Sequence, residues 1–215
     1  MQNRSESKAD QAGRSLLEGW NSPPNLVTYA RIALVVVFIV LDVMAGPWGQ
    51  SDISLRWAAA ILFIVAASTD KLDGWMARRY NQVTELGKLM DPIADKLLIC
   101  SALIIASIHG EFWWWATALF LLREIGITLM RFLVIDEGGS VIAASQAGKY
   151  KTLFECVGLA MLMVPLFDQW APYASVCQAV ILLALVLCLY SGGEYLVSFF
   201  NARKRSSVPA SESKR

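Results

Sequence analysis

Long apolar segments alternate with short polar ones along most of the chain. The apolar segments cover about residues 25–45, 53–79, 91–108, 112–135, 145–165 and 174–200. A helix needs roughly 20 residues to cross the hydrocarbon core of a bilayer, and each segment is close to that length or above it. The pattern therefore predicts an all-α integral membrane protein with six transmembrane helices.

The two ends of the chain are polar. Residues 1–22 are mixed in charge and run into Pro23 and Pro24, which break a helix or set its beginning. We expect a polar tail and a short surface helix over 1–22, a six-helix domain over 23–200, and a basic, Ser-rich cytoplasmic tail over 201–215.

Composition agrees with a membrane location. Hydrophobic residues make up 56% of the 215 residues and charged residues only 17%, with a net charge of +1. No basic excess favours a nucleic acid partner. The turns at 46–52, 109–112 and 166–173 contain no Lys or Arg. Basic residues lie instead at both ends of the chain, around the connection between the second and third segments, and at the start of the fifth segment. Loops on the cytoplasmic side of a membrane carry an excess of Lys and Arg, so both termini are predicted to lie in the cytoplasm. The protein is expected in the cell (inner) membrane.

Four carboxylates lie next to these apolar segments, where an ionised group is costly and usually marks a function. Asp70 and Asp73 are three residues apart, and Asp91 and Asp95 are four apart. Each pair therefore lies on one face of a helix. Asp91 followed by Pro92 would also suit the N-cap and first position of the third helix.

Crowded carboxylates must either hold protons or be neutralised by cations. We favour cations, because oxygen-only ligands suit Mg²⁺ or Mn²⁺, and a pair of such ions is a common device for displacement at phosphorus. Small residues nearby would let a phosphorylated ligand approach the backbone. If the two acidic faces meet, the sequence predicts one anionic pocket between them.

The spacing of these residues resembles the complete signature of the CDP-alcohol phosphatidyltransferase family. The matching positions are Asp70, Asp73, Gly74, Ala77, Arg78, Gly87, Asp91 and Asp95. The resemblance implies a divalent-metal-dependent transferase, with two ions held by Asp70, Asp73, Asp91 and Asp95. It also implies that Asp70, Asp73, Gly74, Ala77, Arg78 and Gly87 bind the CDP-lipid and that Asp95 is the general base on the acceptor hydroxyl. A homodimer is implied by the family alone.

Within the family, three stretches resemble the phosphatidylglycerophosphate synthases: PNLVTYAR from Pro24, DPIADK from Asp91 and GKYKT from Gly148. This resemblance implies CDP-diacylglycerol as donor, sn-glycerol 3-phosphate as acceptor, and CMP and phosphatidylglycerophosphate as products of phospholipid biosynthesis. Basic residues inside or beside the spans are candidates for the acceptor phosphate: Arg31, Arg123, Arg131, Lys149 and Lys151.

The basic residues also have plainer interpretations. Arg31 could extend to the membrane interface, and Lys149 and Lys151 could be positive-inside charges. Arg123 and Glu124 are expected to point in adjacent directions and not at each other. Asp42, Arg56 and His109 lie towards the opposite side, where the spans are otherwise almost free of charge, and His109 is interpreted as an interfacial residue and not as a ligand.

Other functions fit parts of the pattern. A cardiolipin synthase that uses a CDP-lipid, or a phosphatidylinositol phosphate synthase, would keep the signature and change the acceptor. A cation carrier could also contain intramembrane Asp and Arg, but it needs a path to the far side, where the spans are almost free of charge. A non-catalytic scaffold gives no reason for four carboxylates at these distances.

Overall fold

A computed structural model describes residues 23–80, 85–136, 146–166 and 172–206. For part of these ranges only the backbone is described, namely 23–24, 70–80, 85–92, 95, 131–136, 146–147, 149 and 200–206. The surface helix expected within 1–22 and most of the C-terminal tail lie outside the described residues.

The described residues form helices and connecting turns without a strand. The six α-helices are α1 Pro23–Ala45, α2 Ile53–Tyr80, α3 Glu85–Ile108, α4 Trp114–Asp136, α5 Gln146–Met163 and α6 Tyr173–Ser206. A short 3-10 turn, Pro47–Gly49, follows α1. The all-α prediction is confirmed for the part of the chain that is described.

Two of the helices are long and apolar enough to cross a membrane by themselves. They are Asn25–Ala45 in α1 and Tyr173–Phe199 in α6, while the apolar parts of α2 and α3 are shorter, Ile53–Thr69 and Lys96–Ile108. Side chains such as Val36 and Val186 are more than half exposed, as expected for surfaces that face lipid. Of the six α-helices described, two thus meet the length and hydropathy requirements for a membrane span.

The helix boundaries agree with the predicted segments to within two residues except at the beginning of α3 and at the end of α6, which continues to Ser206. Helix α3 begins at Glu85 and continues through Asp91 and Pro92, so the prediction of Asp91 as its N-cap is wrong. Proline lacks an N–H group, which removes the helical bond to the carbonyl of Lys88 but leaves the preceding turns intact. Helices in membranes tolerate such a proline.

Helices α1, α2 and α3 belong to one compact unit, which consists of residues 1–111 and 163–170. Phe38 of α1 and Phe63 of α2 are fully buried, and their ring centroids are 5.7 Å apart. Buried alanines, among them Ala59 and Ala66, let the helices approach closely. This packing places the second half of α2 and the first half of α3, which contain the signature, in the same unit.

Helices α4 and α6, with most of α5, belong to a second unit of residues 112–162 and 171–215. Gly158 of α5 lies so close to α6 that an added Cβ would be 2.7 Å from Ile181 Cγ1 and 3.2 Å from the Ile181 backbone nitrogen. Glycine therefore sets the distance between these helices. The Tyr173 hydroxyl donates a hydrogen bond of 2.6 Å to the carbonyl of Met161.

Candidate functional site

The signature residues lie on two helices of the first unit. Asp70, Asp73, Gly74, Ala77 and Arg78 belong to α2, and Gly87, Asp91 and Asp95 belong to α3. Because both stretches are helical, the spacings of three and four residues place each Asp pair on one side of its helix, as predicted. The side chains of these residues are outside the described part of the chain, so their metal and CDP-lipid contacts stay predictions.

Arg31 lies inside the first unit. Its side chain is only 1% exposed, so it does not extend to the membrane interface. Asn25 and Thr28, six and three residues earlier on α1, are also buried. Arg31 Nε donates a long hydrogen bond of 3.4 Å to Thr69 Oγ1, and Thr69 directly precedes Asp70 in α2. The structure thus places one of the five candidate phosphate-binding residues beside the beginning of the signature.

A second set of charges is buried in the second unit. One oxygen of Glu124, Oε1, accepts a hydrogen bond of 2.8 Å from Arg123 Nη1 and one of 2.5 Å from Lys151 Nζ. Lys151 Nζ also lies 2.9 Å from Glu155 Oε2, one helical turn further along α5. We call Arg123, Glu124, Lys151 and Glu155 the acid–base cluster.

The expectation that Arg123 and Glu124 point in adjacent directions and not at each other is wrong, because Arg123 Nη1 lies 2.8 Å from Glu124 Oε1. Adjacent positions on a helix are about 100° apart, but both side chains are long and flexible enough to close that angle. In a site with little water, an ion pair compensates for part of the cost of burying each charge. The pairing is therefore favoured by burial, which helical periodicity alone does not include.

Arg123 also connects α4 to α6. Its Nε donates to the carbonyl of Cys188 at 3.2 Å, and its Nη2 donates to Ser191 Oγ at 3.2 Å. Gly192 lies against the same side chain, because a Cβ added there would be 3.3 Å from Arg123 Cγ. The guanidinium is thus held by contacts on two helices.

The cluster balances its charges. Arg123 and Lys151 carry two positive charges, and Glu124 and Glu155 carry two negative ones. The sequence analysis selected the two bases but missed Glu155 and Ser191 as their partners. The available signal for Glu155 was its position four residues after Lys151 in an apolar segment. The side chains of the other two candidates, Arg131 and Lys149, are outside the described residues.

Another ionic group lies in the first unit, away from the signature in sequence. Arg56 Nη1 lies 2.7 Å from Asp42 Oδ1, its Nη2 lies 2.6 Å from Glu111 Oε2, and its Nε donates to the carbonyl of Met163 at 3.1 Å. Glu111 Oε1 accepts a hydrogen bond of 2.6 Å from the Trp48 backbone. Asp42 and Arg56 therefore belong to one buried ionic group with Glu111, a pairing that the sequence analysis did not predict.

Burial raises the pKa of Glu111, which lies in the turn between α3 and α4; Arg56 and the Trp48 N–H oppose this shift, and Asp42 adds to it. Two carboxylates share one guanidinium, so the group has excess negative charge. His109 Nδ1 lies 3.8 Å from Glu111 Oε1. Its side chain is only 7% exposed, which places it against this group.

No described residues form a further candidate metal site. Among the side chains that the structure describes, no three His, Cys, Asp or Glu residues are close enough together to hold an ion. The predicted ligands Asp70, Asp73, Asp91 and Asp95 are not among those side chains. The donor set they would supply is composed of carboxylate oxygens, which suits Mg²⁺ or Mn²⁺.

The helices are apolar and enclose buried ion pairs. Two of them, α2 and α3, contain carboxylates at fixed intervals. This combination is typical of a membrane protein with an internal polar site. The family model described as CDP-alcohol phosphatidyltransferase matches residues 21–191. The chain therefore belongs to the CDP-alcohol phosphatidyltransferase family and is a transferase enzyme of the membrane.

Curated relatives extend this result over most of the chain. A protein named probable phosphatidylglycerophosphate synthase from Mycobacterium tuberculosis is 38% identical over 80% of this chain and 78% of its own length. A protein named CDP-diacylglycerol–glycerol-3-phosphate 3-phosphatidyltransferase from Bacillus subtilis is 35% identical over 86% of this chain and 98% of its own length. A protein of the same name from Escherichia coli K12 is 36% identical over 80% of this chain and 92% of its own length. The similarity thus covers 78–98% of the length of these relatives.

Proposed function

We propose that this protein transfers the phosphatidyl group of CDP-diacylglycerol to sn-glycerol 3-phosphate, giving phosphatidylglycerophosphate and CMP in phospholipid biosynthesis. The observation that carries the proposal is the similarity to relatives named for this reaction, which extends over 78–98% of their lengths. The order of the signature residues on α2 and α3 supports the same chemistry.

The donor site is proposed to lie along the signature. Asp70, Asp73, Asp91 and Asp95 would hold two Mg²⁺ or Mn²⁺ ions, and their all-oxygen donor set fits that choice. When bound, the ions would polarise the phosphoryl group and neutralise the charge that develops on the leaving CMP. Gly74, Ala77, Arg78 and Gly87 would bind the CDP portion with Asp70 and Asp73. Asp95 would take the proton from the acceptor hydroxyl as oxygen attacks phosphorus.

The acceptor phosphate is proposed to bind to basic side chains. The candidates are Arg31, Arg123, Arg131, Lys149 and Lys151. Three of them are described, and all three are largely buried and have polar contacts that fix their orientation. Arginine and lysine donate charge-assisted hydrogen bonds to phosphate, so such fixed side chains suit a small anionic acceptor.

The arrangement in the membrane is also a proposal. Residues 23–200 would form one catalytic domain with six membrane-crossing helices, both termini and the active site in the cytoplasm, in the cell (inner) membrane. Its support is the lack of Lys and Arg in the turns at 46–52, 109–112 and 166–173. We propose a homodimer from family resemblance alone.

A test of the function is CMP release by the purified protein in detergent with CDP-diacylglycerol and Mg²⁺ or Mn²⁺. Glycerol 3-phosphate, phosphatidylglycerol and inositol phosphate would be supplied separately. Release that requires glycerol 3-phosphate supports the proposal. Release with a different acceptor would replace the acceptor and keep the transferase, and no release with any of them would overturn the proposed reaction.

A further inference from the structure

Glu124 has an unusual position between the two described bases of the acid–base cluster. A single carboxylate oxygen accepts from Arg123 on the same helix and from Lys151 on α5, and the Cys188 sulfur lies 3.9 Å away. Glu124 is only 8% exposed. An oxygen that joins a guanidinium to an ammonium fixes the distance between them, which is a requirement for two cations that share one phosphate.

We infer that Glu124 is a positioning residue of the acceptor site, which holds Arg123 and Lys151 ready for one phosphate group. This inference rests on the proposed function, because it assigns the two bases to the acceptor phosphate. Glu124 itself would not touch the acceptor. Because Glu124 already holds Arg123 and Lys151 in place, binding of the acceptor would not have to include the entropic cost of ordering these two long side chains.

The number of donors supports this role. Arg has five N–H groups and the Lys ammonium has three. The contacts described for Arg123 use three of its N–H groups, those for Lys151 use two, and the remaining three can be offered to a ligand. Glu124 thus orients the bases without using all of their hydrogen-bonding capacity.

A second explanation makes the opposite prediction. Glu124 and Glu155 could act only as counter-charges that make two buried cations tolerable without a ligand. Removing a counter-charge would then leave more positive charge for the acceptor, and the acceptor KM would fall. Under the positioning role, the bases lose their fixed separation and the acceptor KM rises.

Gly192 and Gly193 of α6 offer a matched pair that leaves all charges in place. A Cβ at Gly192 would be 3.3 Å from Arg123 Cγ and 3.5 Å from Arg123 Nε, so the side chain must shift by a few tenths of an ångström. A Cβ at Gly193 meets nothing within 4 Å among the described atoms. Both changes raise helix propensity by the same intrinsic amount. They differ in that Gly192 is buried against the Arg123 side chain, whereas Gly193 is exposed.

The experiment measures KM for glycerol 3-phosphate and for CDP-diacylglycerol in the wild type, Glu124→Gln, Gly192→Ala and Gly193→Ala. Gln removes the negative charge from the oxygen that accepts from both Arg123 and Lys151. The weakened hydrogen bonds predict an acceptor KM about tenfold to a hundredfold higher in Glu124→Gln, with the donor KM within about twofold. Gly192→Ala should raise the acceptor KM about threefold or more, since small displacements in a positioned site are costly. Gly193→Ala should match the wild type.

The outcomes separate this inference from the proposed function. Activity of the wild type tests the proposed transfer to glycerol 3-phosphate. If the wild type uses another phosphorylated acceptor, the KM values of the wild type and the three variants are compared for that acceptor. A lower acceptor KM in Glu124→Gln, or equal changes in both KM values, overturns the positioning role. If Glu124→Gln does not fold, equal KM values for the two alanine variants overturn it. A wild type without any transfer overturns both proposals.

Discussion

Arg56 Nη2 lies 2.6 Å from Glu111 Oε2, although 55 positions separate the two residues and both side chains are at most 2% exposed. The pair connects the beginning of α2 to the turn between α3 and α4. Asp42 at the end of α1 joins the same guanidinium. Gly49 permits this approach, because it has a φ of +74° and a Cβ added there would be 2.9 Å from Arg56 Cβ.

Arg56→Met should destabilise the protein by about 3–5 kcal/mol, because it leaves Asp42 and Glu111 buried without their guanidinium. The measurement is the midpoint of thermal unfolding in detergent. Trp57→Leu, at a neighbouring exposed position, is the control and should change the midpoint much less. The triple variant Asp42→Asn, Arg56→Met, Glu111→Gln should recover part of the lost stability, because it no longer contains unpaired buried carboxylates. If the midpoint of Arg56→Met equals that of the wild type, Arg56 does not stabilise Asp42 and Glu111 as described.

The raised pKa of Glu111 predicts a pH dependence of stability. Its ordinary value is 4.5, and burial makes the folded state hold the proton more strongly than the unfolded state. Stability contributed by Glu111 therefore increases as the pH falls from above the folded pKa towards 4.5, and is constant below that. Unfolding midpoints of the wild type and Glu111→Gln should be compared across this range. On acidification, the unfolding midpoint of the wild type should rise relative to that of Glu111→Gln. A relative fall would contradict the raised pKa of Glu111.

Asp95→Asn should lower turnover by about a hundredfold or more, because it removes the proposed general base. CDP-diacylglycerol binding should remain measurable, since three other carboxylates would still hold the ions. CMP release and direct binding of the donor are measured on the same preparation. Asp52→Asn is a suitable control, because Asp52 accepts from the Ser54 and Leu55 backbone at the start of α2, and Asn serves the same purpose. Unchanged turnover in Asp95→Asn would remove Asp95 from this role.

Removal of divalent metal should abolish CMP release. The proposed ligands are carboxylates, and without cations they would repel both one another and the pyrophosphate of the donor. The test is activity after treatment with a chelator, followed by addition of Mg²⁺, Mn²⁺ or Zn²⁺. Activity should return with Mg²⁺ or Mn²⁺. Full activity in excess chelator would argue against the proposed metal site.

Gly158→Ala should weaken the packing of α5 against α6. The added methyl group would meet both the side chain and the backbone of Ile181, and a backbone cannot move aside cheaply. We expect a loss of about 1–3 kcal/mol in stability. Gly126→Ala is the control, because nothing described lies within 4 Å of its Cβ and its helix propensity improves. Equal unfolding midpoints for the two variants would show that the approach of α5 and α6 does not depend on Gly158.

Much of the helical order follows from the sequence, because apolar length and helix-breaking residues are local signals. The beginnings of α1 and α2 were predicted to within two residues. The beginning of α3 was not, because the Asp91-Pro92 pair has the chemistry of a helix start and the preceding residues from Glu85 are good helix formers as well. The sequence around Asp91 is therefore compatible with a helix start at either Glu85 or Asp91, and local preferences do not decide between the two.

The sequence by itself determined the all-α class, the placement of the signature on α2 and α3, and the family to which the chain belongs. These depend on spacing along the chain, which a helix converts directly into a face. Only the tertiary structure decided that Arg56 pairs with Glu111, and Lys151 with Glu124. A buried charge takes its partner from whichever helix packs beside it, and distance along the chain carries no information about that neighbour.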